Sequence, residues 1–152
     1  MKKVLSFLLC AVLCVLFACT AYAASTTEAT EPIDATRADC TLTVSYPAAA
    51  NCGVSLEVKL HYIADLSAEF QYTLRSPYPQ VELNGISTQD EWNAVSYTLG
   101  AYITADEPEP LCTVSTDADG KAIFTGLRPG LYYVEDCAFT AGRTTYRYVA
   151  SL

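Results

Sequence analysis

The chain has few of the residues on which enzymes and metal sites usually depend. Its 152 residues include one histidine, one tryptophan and one methionine. No C-x-x-C pair, G-x-S-x-G elbow or phosphate-cradling glycine loop occurs. A zinc site needs several closely spaced Cys or His ligands, and His61 stands alone. The composition therefore argues against an enzyme, and we expect no cofactor and no metal ion.

Positive charge is also scarce. Nine lysines and arginines stand against seventeen acids, which gives a formal net charge of −8. A surface of this sign keeps a domain soluble and repels polyanions. Nucleic acid and anionic lipid are therefore not expected as partners.

The N-terminus has the pattern of a secretory signal peptide. Met1-Lys2-Lys3 precedes an apolar run from Val4 to Ala18, and Ala21-Tyr22-Ala23 follows as a small-residue cleavage site. A membrane span needs about 20 apolar residues, which this run does not reach. Cleavage after Ala23 would remove two lysines, so the net charge would become −10. The signal peptide predicts a secreted or extracellular chain that can associate with the cell surface. The alternative is lipoprotein processing at Cys19, which the bulky Phe17 disfavours.

We therefore divide the chain into a signal peptide (1–23), a flexible Ala/Thr/Glu-rich leader (24–38) and one domain (39–152). Once the signal peptide is removed, an even number of cysteines remains. In an exported chain such a number predicts disulfides, here two, whose pairing stays open. These cysteines are Cys40, Cys52, Cys112 and Cys137.

Alternating apolar residues predict a half-buried antiparallel sheet. In Val54–Tyr62 the apolar residues share one face, so Lys59 and His61 should lie on the solvent face. The same pattern or a β-rich composition predicts further strands. Their ranges are 40–46, 70–74, 81–83, 113–116, 121–127, a strand from 131, and 144–152.

One segment has helical periodicity instead. Trp92, Val95 and Leu99 recur at helical spacing after Ser87, which could cap the N-terminus. This predicts an amphipathic helix over 88–103 with Trp92 as a packing anchor. Trp92 as a carbohydrate-stacking residue is the alternative, and the apolar spacing disfavours it.

The segment from Thr116 to Val134 carries the most specific motifs. Asp117-Ala118-Asp119-Gly120 is typical of a hairpin turn and lacks the ligand spacing of a calcium loop. Pro129-Gly130 suits a type II turn in which the glycine adopts a positive φ. The order T-D-x-D-G-K, G-L-x-P-G and Y-x-V resembles the Cna-B-type, SpaA-like domains of gram-positive surface proteins and pilins. The resemblance implies an all-β, antiparallel prealbumin-like (transthyretin/Cna-B-type) β-sandwich with one inserted α-helix.

Many domains of that family carry an intramolecular isopeptide bond between a lysine on the first strand and an asparagine on the last. An acid on the strand after the G-L-x-P-G corner assists the reaction. The family's spacing from Tyr132 puts Asp136 at this position, with Glu135 facing outward. The first strand here has no lysine and the last has no asparagine. We therefore predict that no such bond forms and that Asp136 is a vestigial acid.

The resemblance implies an exported, non-catalytic structural or adhesive module of the bacterial cell surface. Its partners would be other cell-surface or pilus proteins, or a host ligand. Relatives continue into a sorting motif and an apolar span that do not follow here, which leaves truncation, secretion or retention by another protein open. The alternative is an adhesin domain that recognises a host protein or glycan through a tyrosine-rich surface. The tyrosines proposed for it are Tyr132, Tyr133, Tyr146 and Tyr148.

Overall fold

The computed structural model describes residues 33–152. The predicted signal peptide and most of the predicted leader lie outside the described residues. The elements follow in the order β1 (Cys40–Ser45), α1 (Pro47–Cys52), β2 (Glu57–Leu66), β3 (Tyr72–Leu74), α2 (Gln89–Asp106), β4 (Cys112–Ser115), β5 (Lys121–Leu127), β6 (Gly130–Val134), β7 (Cys137–Ala141) and β8 (Thr144–Tyr148).

Every strand pairing is antiparallel, and β2 is the central strand. Strand β6 pairs with β2 along one edge, while β4 and β3 pair with the two ends of its other edge. Strands β1 and β5 form a two-stranded ribbon, and β7 and β8 form a hairpin. A bridge between Val134 and Ser151 joins the end of the chain to β6. The predicted antiparallel β class is confirmed, and the arrangement is consistent with a β-sandwich.

The buried apolar residues form two clusters, and β2 contributes to both. Val58 and Leu60 belong to the first cluster, together with Phe124 of β5. Ile63 belongs to the second, together with Leu99 of α2. The pairing of β2 with β6 shifts register between Tyr62 and Ala64, which interrupts the alternation of faces. Glu57 and Lys59 lie on an exposed face, as the alternation predicts, whereas from His61 onward both faces of β2 are covered.

Helix α2 confirms the predicted helix but begins at a different cap. The Thr88 hydroxyl accepts from the backbone N–H of Glu91, and the Glu91 carboxylate accepts from the backbone N–H of Thr88 at 2.9 Å. This is a complete capping box, so the assignment of Ser87 as the N-cap was wrong. Leu99 is fully buried, whereas Trp92 is half-buried against Tyr72.

Three further elements differ from the sequence prediction. Helix α1 was not predicted, although Pro47 at its first turn and Gly53 in a left-handed conformation (φ 64°) after its last residue are standard boundary residues. Strand β7 was also not predicted, and the segment 81–83 is not a strand.

Both predicted turns lie at chain reversals, but only one has the predicted glycine conformation. In the first, the Asp117 carboxylate accepts from the backbone N–H groups of Asp119 and Lys121, and Gly120 has a φ of 71°. In the second, Gly130 is not among the positive-φ glycines. A Cβ on Gly130 would instead collide with the carbonyl oxygen of Ala64 on β2. The glycine at this corner permits close approach of two strands, so the type II assignment was wrong.

Candidate functional site

The histidine predicted to lie on the surface is fully buried. His61 Nδ1 lies 3.1 Å from the Tyr78 hydroxyl, and Nε2 lies 2.6 Å from Glu135 Oε1. Lys59, two residues earlier on the same face of β2, is exposed as predicted, but at His61 this face is covered by protein. The surface assignment of His61 was therefore wrong.

Glu135 and Asp136 have orientations opposite to those predicted. The Glu135 side chain is about three-quarters buried, and its second carboxylate oxygen lies 3.3 Å from Lys59 Nζ. Asp136 is half-exposed and accepts a hydrogen bond from Arg147 at 2.7 Å. Strand β6 ends at Val134, so strand alternation does not continue to 136. Asp136 as the inward acid was therefore wrong, and Glu135 is the acid that points inward.

Together these groups form a polar chain of Tyr78, His61, Glu135 and Lys59. With the proton on Nε2, His61 donates to Glu135 and accepts from the Tyr78 hydroxyl, so both ring nitrogens are occupied. Burial, with Tyr102 nearby, raises the pKa of the Tyr78 phenol and keeps it protonated as a donor. The arrangement can fix the imidazole orientation and link β2 to the segment after β6. It leaves no ring nitrogen of His61 open to a substrate.

The four tyrosines proposed as a binding surface do not share one surface. Tyr133 is buried in the second cluster, so its inclusion was wrong. The other three are half-buried and lie in separate contacts. Tyr132 stacks on Tyr62, Tyr146 stacks on Phe139, and Tyr148 packs edge-on against Tyr46 while its hydroxyl accepts from the Ala48 N–H.

The cysteines proposed to form disulfides are all free thiols in this structure. Cys40, Cys112 and Cys137 are half-buried against the first cluster, while Cys52 is exposed at the end of α1. Burial raises the pKa of the Cys112 and Cys137 thiols, which lowers their thiolate reactivity. Disulfide formation in the exported protein stays a prediction.

At least three clefts border α2, sequence reasoning predicted none of them, and two are described here. The first, of about 400 Å³, contains Tyr72 and Trp92 beside the polar side chains of Gln89, Asn93 and Ser96. The second, also about 400 Å³, lies at the C-terminal end of α2 and reaches the Lys59–Glu135 pair. Its acids come from segments far apart in sequence, so no local motif could have indicated it.

Comparisons with known proteins give no relative from which a role could be transferred. No protein-family model, curated protein or solved structure matches this chain. In the described part of the chain, neither helix is long and apolar enough to cross a membrane.

Proposed function

We propose that this chain is an exported, non-catalytic structural or adhesive module of the bacterial cell surface. One structural observation supports the proposal: the single histidine is enclosed and bonded at both ring nitrogens. A general base must reach a substrate proton directly or through one water, and His61 has no such access. The signal-peptide pattern, the acidic composition and the resemblance to Cna-B-type domains favour an exported role.

Export can be tested by expressing the full chain in a gram-positive bacterium. We expect the medium or the cell envelope to contain a chain whose N-terminal sequence begins at Ala24. An Ala23→Phe variant is the control, because a bulky residue at the cleavage site should block processing. A wild-type chain that remains in the cytosol with Met1 in place would contradict the proposal.

The non-catalytic part needs its own test. Purified mature protein should show no turnover on a panel of ester, amide and glycoside substrates. An activity that His61→Gln abolishes, in a variant that still folds, would reverse this part of the proposal.

The alternative function, a ligand-binding adhesin, is favoured by one observation: the cleft beside Trp92 and Tyr72. An aromatic ring next to planar amides and hydroxyls suits a sugar, since the ring packs on its apolar face and the polar groups bond its hydroxyls. The cleft thus offers an aromatic ligand site in place of the four-tyrosine surface.

A glycan array probed with mature protein tests this alternative. If a glycan binds in the cleft, Trp92→Ala should abolish the signal. Tyr97 is a matched control, since it is an exposed aromatic on the same helix outside this cleft. Binding that survives Trp92→Ala, or that Tyr97→Ala removes equally, would exclude this cleft as the site.

A further inference from the structure

We infer that the cleft beside Trp92 and Tyr72, which we call the tryptophan cleft, selects an uncharged sugar that carries an N-acetyl group. This ligand class rests on the alternative function proposed above, a ligand-binding adhesin. It follows from three features of the cleft: aromatic ring surface that is not used up by stacking, a lining without charged side chains, and a pair of amides on α2.

The two aromatic rings of the tryptophan cleft are not stacked on each other. The ring centroids of Tyr72 and Trp92 lie 6.3 Å apart, and the ring planes meet at 86°. Such an edge-to-face contact covers at most one ring face of the pair. Trp92 is half-buried and lines the cleft, so part of its ring borders the cleft rather than the core. Ring surface is therefore available to pack against the C–H groups of a sugar.

No charged side chain occurs among the described residues that line this cleft. The N-terminus of α2 would by itself favour an anion, but the Glu91 carboxylate already accepts from the backbone N–H groups of Ser87 and Thr88 there. Asp90 adds a second negative charge to the first turn of the helix. A carboxylated sugar would find no cation in the lining and two acids in the adjoining turn, so an uncharged sugar is favoured.

Two amide side chains of the lining are bonded to each other. Gln89 and Asn93 lie one helical turn apart, and Gln89 Nε2 donates to Asn93 Oδ1 at 3.1 Å. Within residues 33–152 neither side chain bonds any other group, so the pair leaves one carbonyl oxygen and one NH₂ group for a ligand, whichever amide donates. An acetamido group separates an N–H donor from a C=O acceptor in the same way, whereas a sugar hydroxyl offers both functions from one atom. The amide pair therefore favours an acetamido group over a hydroxyl.

Apolar side chains from outside the helix line the same cleft. They belong to Leu131 of β6 and to Ala150 and Leu152 near the end of the described chain. The methyl group of an acetamido substituent suits such a surface, whereas a hydroxyl placed there would lose water without gaining a partner. The cleft has a volume of about 400 Å³, which is within the range of small-ligand sites.

The single tryptophan of the chain gives a site-specific readout, because selectively excited tryptophan fluorescence comes from Trp92 alone. The experiment titrates mature protein with methyl β-N-acetylglucosaminide, and saturation-transfer NMR of the sugar is the second readout. We expect saturable binding. Methyl β-glucoside, which lacks the acetamido group, should bind about tenfold more weakly. N-acetylmuramic acid, which adds a carboxylate, should also bind more weakly.

Substitution of the amide pair tests the source of this preference. Asn93→Ala should lower the affinity for the N-acetyl glycoside about tenfold and leave the affinity for the glucoside nearly unchanged, because it removes the amide bonds and keeps the ring. Asn93 is exposed on the helix, so the variant should fold. The matched control is Gln80→Ala, which removes an exposed amide outside the cleft and should change neither affinity.

Equal affinity for the N-acetyl glycoside and the glucoside, or tighter binding of N-acetylmuramic acid, would overturn the ligand class. An N-acetyl preference that Asn93→Ala leaves intact, or that Gln80→Ala removes, would overturn it as well. Binding of a glycan without an acetamido group that depends on Trp92 would overturn the ligand class and leave the adhesin alternative standing. Absence of binding by any glycan at millimolar concentration would overturn both.

The last arms identify the source of the sugar. Chitotriose represents a β-linked polysaccharide, and a peptide with α-linked N-acetylgalactosamine represents a glycoprotein. Saturable binding of either one in the tryptophan cleft supports the N-acetyl class, and the tighter of the two assigns its source.

Discussion

Replacing His61 with leucine tests whether the buried polar chain stabilises the domain. Leucine fills a comparable volume with an apolar side chain, so the substitution removes the hydrogen bonds to Tyr78 and Glu135. A neutral buried hydrogen bond contributes about 1 kcal/mol, and one to a charged group about 1.5–3 kcal/mol. The buried Tyr78 hydroxyl is left without a partner, whereas Glu135 keeps Lys59 and some water. We therefore expect His61→Leu to lower the free energy of unfolding by about 3 kcal/mol, a large share of the ~5–15 kcal/mol typical of a domain.

The measurement is equilibrium unfolding in urea, monitored by far-UV circular dichroism. Wild type and variant are compared with the same dependence of the free energy of unfolding on urea concentration. Lys59→Ala is the matched control, because it breaks the other bond of Glu135 at a side chain that is half-exposed. Such pairs contribute about 0–1 kcal/mol, so the control should change stability little. The role assigned to the polar chain would be refuted if the free energy of unfolding of His61→Leu lay within about 0.5 kcal/mol of the wild-type value. It would also be refuted if His61→Leu were as stable as Lys59→Ala.

Further predictions follow from the same structure. Leu99→Ala should lower the free energy of unfolding by about 3–5 kcal/mol in urea, because Leu99 is fully buried. Trp92→Ala should lower it by only about 2 kcal/mol, because Trp92 is half-buried, and equal losses would contradict this difference in burial. Burial raises the pKa of Tyr46 to about 12, so the folded state keeps a proton that the unfolded chain loses near pH 10. Stability should therefore fall between pH 10 and about 12, and Tyr46→Phe should flatten this fall in urea unfolding at stepped pH. Intact mass of the reduced mature protein should equal the full sequence mass, and a loss of one ammonia without deamidation would reveal an isopeptide bond. Thiol titration of the denatured, unreduced exported protein should find almost no free thiol, and four free thiols would exclude the predicted disulfides among Cys40, Cys52, Cys112 and Cys137.

Local signals in the sequence were enough to predict the elements whose boundaries are set by neighbouring residues. Alternation and turn residues gave β1, β5 and the hairpin around Gly120, and helical spacing gave α2. Helix α1 carried equally standard boundary residues, Pro47 and Gly53, but its alanines give no amphipathic pattern. Periodicity therefore could not indicate it, although capping chemistry could have.

The side chains of the candidate site could not be placed in the same way. The exposure of His61 depends on whether a second layer covers that face of β2, and this layer consists of residues distant in sequence, such as Tyr78. The inward position of Glu135 depends on where β6 ends, and a shift of one residue exchanges it with Asp136. Counting from Tyr132 predicted an acid near this site, but only the tertiary fold decides which acid points inward.

The contribution of β2 to both apolar clusters has a consequence for how the domain opens. A strand that packs into only one cluster can separate with its half of the molecule while the other half stays folded. Here Leu60 and Ile63, three residues apart, anchor the two clusters from a single strand. Neither cluster can be exposed without disturbing the strand that holds the other. Amide protons at the centre of β2 should therefore exchange with solvent only through global unfolding, and the two clusters should melt in one cooperative transition.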